Sequence, residues 1–222
     1  MKRYPLRSLL PAISTLFALS VALLSASLAN AAPTSAPTLA PPQQVISPPP
    51  ILSNVVAIAA GGNHTCALIE NGRVKCWGAN LYGQLGDGTF GDSSYRTIPV
   101  EVVGIESDIK EIVAGGNHTC ALTTSGGVKC WGFNYDGQLG DGTSGYSSLQ
   151  QVTPVDVIGL QSGVQAIAAG ESHTCALTEA GGVLCWGSSA WGQTGNGSIS
   201  LSQSTPVDVS DLQSGVRSVS AG

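Results

Sequence analysis

HTCALIENGRVKCWG, residues 64–78, returns as HTCALTTSGGVKCWG at 118–132 and as HTCALTEAGGVLCWG at 173–187, so one unit has been copied down the chain. The histidines that open the copies, His64, His118 and His173, lie 54 and then 55 residues apart. That period is longer than a helical hairpin or leucine-rich repeat and falls near the upper end of propeller-blade periods. Around each copy sit four short apolar runs separated by turn signals, in the first unit Val55 to Ala60, Thr65 to Ile69, Val74 to Trp77 and Val100 to Val103. Runs of this length are strands, and four strands per unit is the make-up of a blade. The expected fold is all-β: a partial β-propeller of about three blades with stapled hairpins.

The central hairpin has a calculable register. If Cys66 faces Cys76, Ile69 pairs with Arg73 and Glu70-Asn71-Gly72 becomes a three-residue loop. That loop class ends on a left-handed residue, where glycine is unstrained. The same register gives Thr124-Ser125-Gly126 and Glu179-Ala180-Gly181, with glycine on the required position each time. It also predicts disulfides Cys66–Cys76, Cys120–Cys130 and Cys175–Cys185, because directly opposed strand residues sit within reach of a sulfur bridge. A metal site on His64, Cys66 and Cys76 is the sharper alternative. It is disfavoured because an oxidised pair offers no thiolate, so no metal is expected. Residues repeated in every unit more naturally serve packing than catalysis, which must be placed once. The three histidines and Trp77, Trp131 and Trp186 are therefore assigned to the frame, and no catalytic residue is expected.

After each hairpin comes a glycine-rich corner, GQLGDG at 83–88 and 137–142 and GQTGNG at 192–197. A phosphate cradle needs a following helix N-terminus, whereas these corners run into Thr, Ser and then Pro. They read as tight turns. Asp87, Asp92 and Asp141 lack the alternating spacing of a calcium loop, and no cofactor is expected. Beyond the corners the copies diverge: TFGDSSYRTI at 89–98, TSGYSSLQQVT at 143–153 and SISLSQST at 198–205. A unit whose frame repeats while one loop varies is placing its variable surface on one side. Tyr95, Arg96, Tyr146 and Leu149 are the candidate binding residues there, since Tyr and Arg give large contact areas with a polar handle.

The flanks set the context. Residues 1–31 carry a basic start, an apolar stretch and a small-residue site at Ala29-Asn30-Ala31, the pattern of a cleaved export signal. Residues 32–50 are proline-rich and uncharged, a semi-rigid linker. From residue 32 on, six Lys and Arg face fourteen Asp and Glu, a net charge of −8 that disfavours nucleic acid as a partner. No membrane span is expected in the mature chain, and a secreted, periplasmic or cell-surface location follows from the signal and the cysteines.

The order AGGNHTCAL, GRVKCWG, GQLGDG and then Pro-Val resembles the repeat of the regulator-of-chromosome-condensation family, in its cysteine-bearing exported bacterial form. The resemblance covers residues 51–222, as repeats at about 51–104, 105–159 and 160–213 and the start of a fourth at 214–222. It implies a β-propeller, usually of seven blades, with a protein-binding face. The chain stops at Val219-Ser220-Ala221-Gly222, just before the fourth expected histidine, so the expectation is either a piece of a longer gene or copies that associate to close the ring. The family also implies alternatives, guanine-nucleotide exchange as in nuclear members or inhibition of a secreted enzyme. The leading expectation is an exported, non-enzymatic module that contacts an unidentified protein or surface ligand through the variable loops.

Overall fold

The computed structural model describes residues 51–222, and the expected signal at 1–31 and linker at 32–50 lie outside the described residues. Three four-stranded antiparallel sheets follow one another along the chain. The first is built from β1 (Val55–Ala60), β2 (His64–Ile69), β3 (Val74–Gly78) and β4 (Arg96–Glu101). The second takes β5 (Ile109–Ala114), β6 (His118–Thr123), β7 (Val128–Phe133) and β8 (Gln150–Asp156). The third takes β9 (Val164–Ala169), β10 (His173–Thr178), β11 (Val183–Ser189) and β12 (Ser200–Asp208). A single 3-10 turn at Tyr146–Ser148 interrupts the loop between β7 and β8. Among the described residues no helix is long and apolar enough to cross a membrane.

The hairpin register is the one the cysteines dictate. Cys66 pairs with Cys76, Cys120 with Cys130 and Cys175 with Cys185 across β2–β3, β6–β7 and β10–β11. All six sulfurs are joined in disulfides, with the paired Cα atoms 4.1 Å apart. Closing such a loop contributes about 2 to 3 kcal/mol per bridge by restricting the unfolded chain. The turn glycines Gly72, Gly126 and Gly181 have φ of 79°, 80° and 81°. They are needed for a second reason. A Cβ at Gly126 would stand 2.8 Å from the amide nitrogen of Gly163, where the chain enters the next blade.

The outermost strand differs from its expected position. The apolar run Val100 to Val103 points to a strand there, but β4 begins at Arg96 and ends at Glu101. Likewise β8 and β12 begin at Gln150 and Ser200, inside stretches read as variable loop. These are edge strands, so backbone pairing to β3, β7 and β11 selects them rather than apolarity, and Pro99 is tolerated because an edge residue need not donate. Val102 packs into the core just past the end of β4.

The blades pack face to face with β1, β5 and β9 side by side, and Val219–Ala221 continues that row. The core lies between blades rather than within them. Leu68, Val74, Cys76 and Leu85 of blade 1 pack on Ile109, Ile112 and Trp131 of blade 2. Leu122, Val128, Leu139 and Val157 of blade 2 pack in the same way on Val164, Ile167 and Trp186 of blade 3. The result is an open arc of three blades, each completed by its neighbour.

Candidate binding face

Antiparallel meandering sends two sets of loops to the same end of every blade. The short loops at 61–63, 115–117 and 170–172 line the rim beside the innermost strands. The long loops between the third and fourth strands stand outside them. This end of the molecule is the candidate face, and its geometry starts with the frame that holds it.

At the junction of blades 1 and 2, the backbone carbonyl of Gln84 accepts two hydrogen bonds from blade 2. One comes from the Thr119 hydroxyl at 2.9 Å and the other from Trp131 Nε1 at 3.0 Å. With its proton committed to Gln84, Thr119 Oγ1 can only accept from His64 Nε2, 2.8 Å away. This fixes His64 as the neutral tautomer protonated at Nε2. The junction of blades 2 and 3 repeats the set: His118 Nε2 to Thr174 at 2.9 Å, Thr174 to the Gln138 carbonyl at 3.0 Å, and Trp186 Nε1 to the same carbonyl at 2.9 Å. Burial pushes His64 down to about 4. His118 goes down to about 3 through burial, with smaller contributions from the neighbouring His64 and His173. These histidines are locked frame residues, as are the buried Trp131 and Trp186, whose rings leave no room for a side chain at Gly86 and Gly140.

Gln84 also works outward. Its side-chain Oε1 accepts from the amide of Tyr82 at 2.9 Å, Gln138 does so for Asp136 at 3.0 Å, and Gln193 for Trp191 at 2.8 Å. In each blade the glutamine thus pins the backbone of the residue just before the Gly-Gln corner. That position is Tyr in the first copy, Asp in the second and Trp in the third. A fixed backbone presents a changing side chain.

Ten aromatic residues fall within the described range, and three of them, Trp77, Trp131 and Trp186, belong to the repeated Cys-Trp-Gly, of which Trp131 and Trp186 are buried between blades while Trp77 is half-buried. The other seven, Tyr82, Phe90, Tyr95, Phe133, Tyr135, Tyr146 and Trp191, all lie at the loop end of the blades. Four form a chain of ring contacts. Tyr82 meets Phe133 at 4.5 Å between centroids, Phe133 meets Tyr135 at 6.4 Å, and Tyr135 meets Tyr146 edge-on at 4.9 Å. Trp191 is 90% exposed, Tyr146 84% and Tyr95 63%.

The four residues singled out from the sequence divide accordingly. Tyr95 and Tyr146 project from the face, and Tyr146 belongs to the aromatic chain. Arg96 is engaged within its own loop: Nη2 contacts Asp87 Oδ2 at 2.6 Å and Thr89 Oγ1 at 3.0 Å, while Nη1 donates to the Ser94 carbonyl at 3.0 Å. Leu149 is half-buried, its carbonyl accepting from Asn134 N at 2.7 Å. Tyr82, Phe133, Tyr135, Asp136 and Trp191 were not singled out. The signal that marks three of them is the single changing column before each Gly-Gln pair.

A family model described as the regulator of chromosome condensation (RCC1) repeat matches residues 71–122 and 125–177, and a second model of that description matches 55–84, 109–138 and 164–197. The chain is 38% identical over 153 residues to the probable E3 ubiquitin-protein ligase HERC4 of Homo sapiens, covering 66% of this chain and 13% of that protein. It is 35% identical over 176 residues to the X-linked retinitis pigmentosa GTPase regulator homolog of Caenorhabditis elegans, covering 77% and 12%. To the ultraviolet-B receptor UVR8 of Arabidopsis thaliana it is 36% identical over 144 residues, covering 64% and 31%. The chain therefore spans between 12% and 31% of the length of these relatives. Among solved structures, yeast RCC1 (Prp20) in its complex with Kap60 superposes with a TM-score of 0.64 at 22% identity, over 71% of this chain and 37% of that one. Human WBSCR16 gives 0.62 at 24% identity, over 69% and 39%. At those identities the likeness is one of fold.

Proposed function

This chain belongs to the regulator of chromosome condensation repeat family, and on that premise we propose that it is an exported, non-enzymatic binding module that engages a protein partner through its aromatic loop face. The observation that carries the reading is the segregation of aromatic residues. All seven outside the repeated Cys-Trp-Gly sit at one end of the blades, six on loops whose sequences differ between copies and Phe133 at the end of β7. Aromatic side chains offer large contact area at small entropic cost, and they dominate the energetics of protein interfaces. Three closed disulfides support an oxidising, extracytoplasmic setting, in keeping with the pattern at residues 1–31.

The test is a pull-down of extracytoplasmic proteins with the full chain, comparing wild type with Tyr95→Ala/Tyr146→Ala. Both residues are exposed, so the double variant keeps the fold. Partners captured by wild type are expected to be lost from the double variant. An unchanged set of partners sinks the proposal. On the same preparation, nucleotide release from small GTPases is expected to run at its uncatalysed rate.

A further inference from the structure

Between the β7–β8 loop of blade 2 and the start of β12 in blade 3 lies a cleft of about 280 Å³, lined by Tyr135, Asp136, Ser144, Gly145, Leu201 and Ser202. Tyr146, in ring contact with Tyr135, stands beside it. Asp136 is the charged residue in this lining. Its backbone is held by Gln138, yet its carboxylate enters no ion pair and no side-chain hydrogen bond among the described residues. Burial raises its pKa above the usual carboxylate value. A carboxylate that has given up part of its hydration without a protein partner in return gains most from a cation delivered to it.

The surroundings favour the same ligand. The loops of this face carry five carboxylates, Asp87, Asp92, Asp136, Asp141 and Glu171. Arg96, at the start of β4, is the basic residue beside them, and it is paired to Asp87. The face is therefore net negative by four charges, its open cleft lined by one aromatic ring and flanked by a second, whose faces attract ammonium and guanidinium groups. A polyanion is repelled from such a surface. A neutral sugar finds aromatic rings but gains nothing from the net charge or from the unpaired carboxylate's field.

We propose that this cleft seats a lysine or arginine side chain from a basic segment of the partner protein, with Asp136 as its counter-ion and Tyr135 and Tyr146 as its aromatic wall. The proposal rests on the loop face being the binding face and adds the chemistry of what it takes. Asp136 becomes a specificity residue and Tyr146 an affinity residue.

The probe is pentalysine, titrated calorimetrically into the full chain at about 50 mM and about 150 mM salt, with pentaglutamate and chitohexaose as the anionic and neutral comparisons. Asp136→Asn removes the charge isosterically. Asp92→Asn removes the same charge from an exposed position on the same face outside the cleft. Pentalysine is expected to bind wild type with an affinity that falls with salt. Asp136→Asn should weaken it by about tenfold and Asp92→Asn by less than about twofold. Equal weakening by the two variants means diffuse attraction and overturns the cleft assignment, while loss of partners in Tyr95→Ala/Tyr146→Ala still upholds the binding face. No binding of pentalysine, or binding of chitohexaose in its place, also overturns it.

Discussion

Trp131 and Trp191 are the same residue type in adjacent blades with opposite fates. Trp131 is fully buried between blades 1 and 2 and donates to the Gln84 carbonyl, whereas Trp191 is 90% exposed at the tip of blade 3 with only its backbone held, by Gln193. What separates them is position relative to one recurring glutamine. The main-chain carbonyl of Gln84 or Gln138 gathers the next blade's Thr and Trp, and the side-chain carbonyl of each corner glutamine fixes the residue displayed to solvent. Frame and face are thus built from the same corner. The face can change its chemistry from Tyr to Asp to Trp without disturbing the junction beneath it.

The largest effect should come from breaking that contrast directly. Trp131→Ala opens a large cavity between two blades and is expected to cost about 3 to 5 kcal/mol, with the size set by how far the blades collapse. Trp191→Ala is expected to stay within about 0.5 kcal/mol. Urea denaturation of the two variants measures both. Similar losses from the two changes would mean that exposure does not separate frame from face.

The next effect concerns the histidine relay. Thr119→Val keeps the shape but removes the acceptor of His64 Nε2–H and one donor to Gln84, at an expected cost of about 1 to 3 kcal/mol. The relay also sets a pH dependence. The Nδ1 atoms of His64 and His118 are buried with no partner among the described residues, so a second proton would meet no acceptor there. With folded pKa values of about 4 and about 3 against an ordinary 6.5, the unfolded chain takes up protons first. The stability that comes from keeping these rings neutral is complete above about pH 6.5, and it is lost progressively as the pH falls towards the folded values. Between about pH 6.5 and 5 most carboxylates stay ionised, so the histidines dominate the slope in that window. The Cε1 proton shifts of His64 and His118 should stay flat there by NMR while stability declines. A ring titrating near 6.5 in the folded protein breaks this account.

How much of this was legible in the sequence follows from which contacts are local. Cys66 and Cys76, with Gly72 between them, fix a hairpin register within a dozen residues, and the structure has that register in all three copies. The outer strands begin earlier than their apolar runs because Arg96, Gln150 and Ser200 are recruited by backbone pairing at an edge, which leaves no apolar signature. The repeated histidines could be assigned to the frame, but not to their partners. His64 reaches the threonine of the following copy, a contact between residues 55 apart whose own His-Thr neighbours are identical in every copy. The cleft was hidden for the same reason, since Leu201 and Ser202 come from a different blade than Tyr135 and Asp136.

The smallest expected effect lies where the third corner departs from the other two. In blade 1, Asn80 Oδ1 accepts from Leu85 N at 3.0 Å and its Nδ2 donates to Asp87 and Thr89, and Asn134 does the same in blade 2 with Leu139, Asp141 and Thr143. Blade 3 has Ser189 where the others have Asn, and Thr194 where they have Leu. The two hydroxyls bond each other at 2.6 Å, fully buried, so the exchanges compensate one another. Thr194→Leu alone strips Ser189 of that partner and should cost roughly 1 kcal/mol. Ser189→Asn alone places a larger amide against Thr194 and should cost a similar amount. Together they restore the Asn and Leu of the other two corners, with Asn196 still standing for Asp, so the double variant is expected to be less destabilised than the two singles combined, with a coupling of roughly 0.5 kcal/mol or more. Strict additivity in this double-mutant cycle would show that the two sites vary independently and that the third corner is not a matched pair.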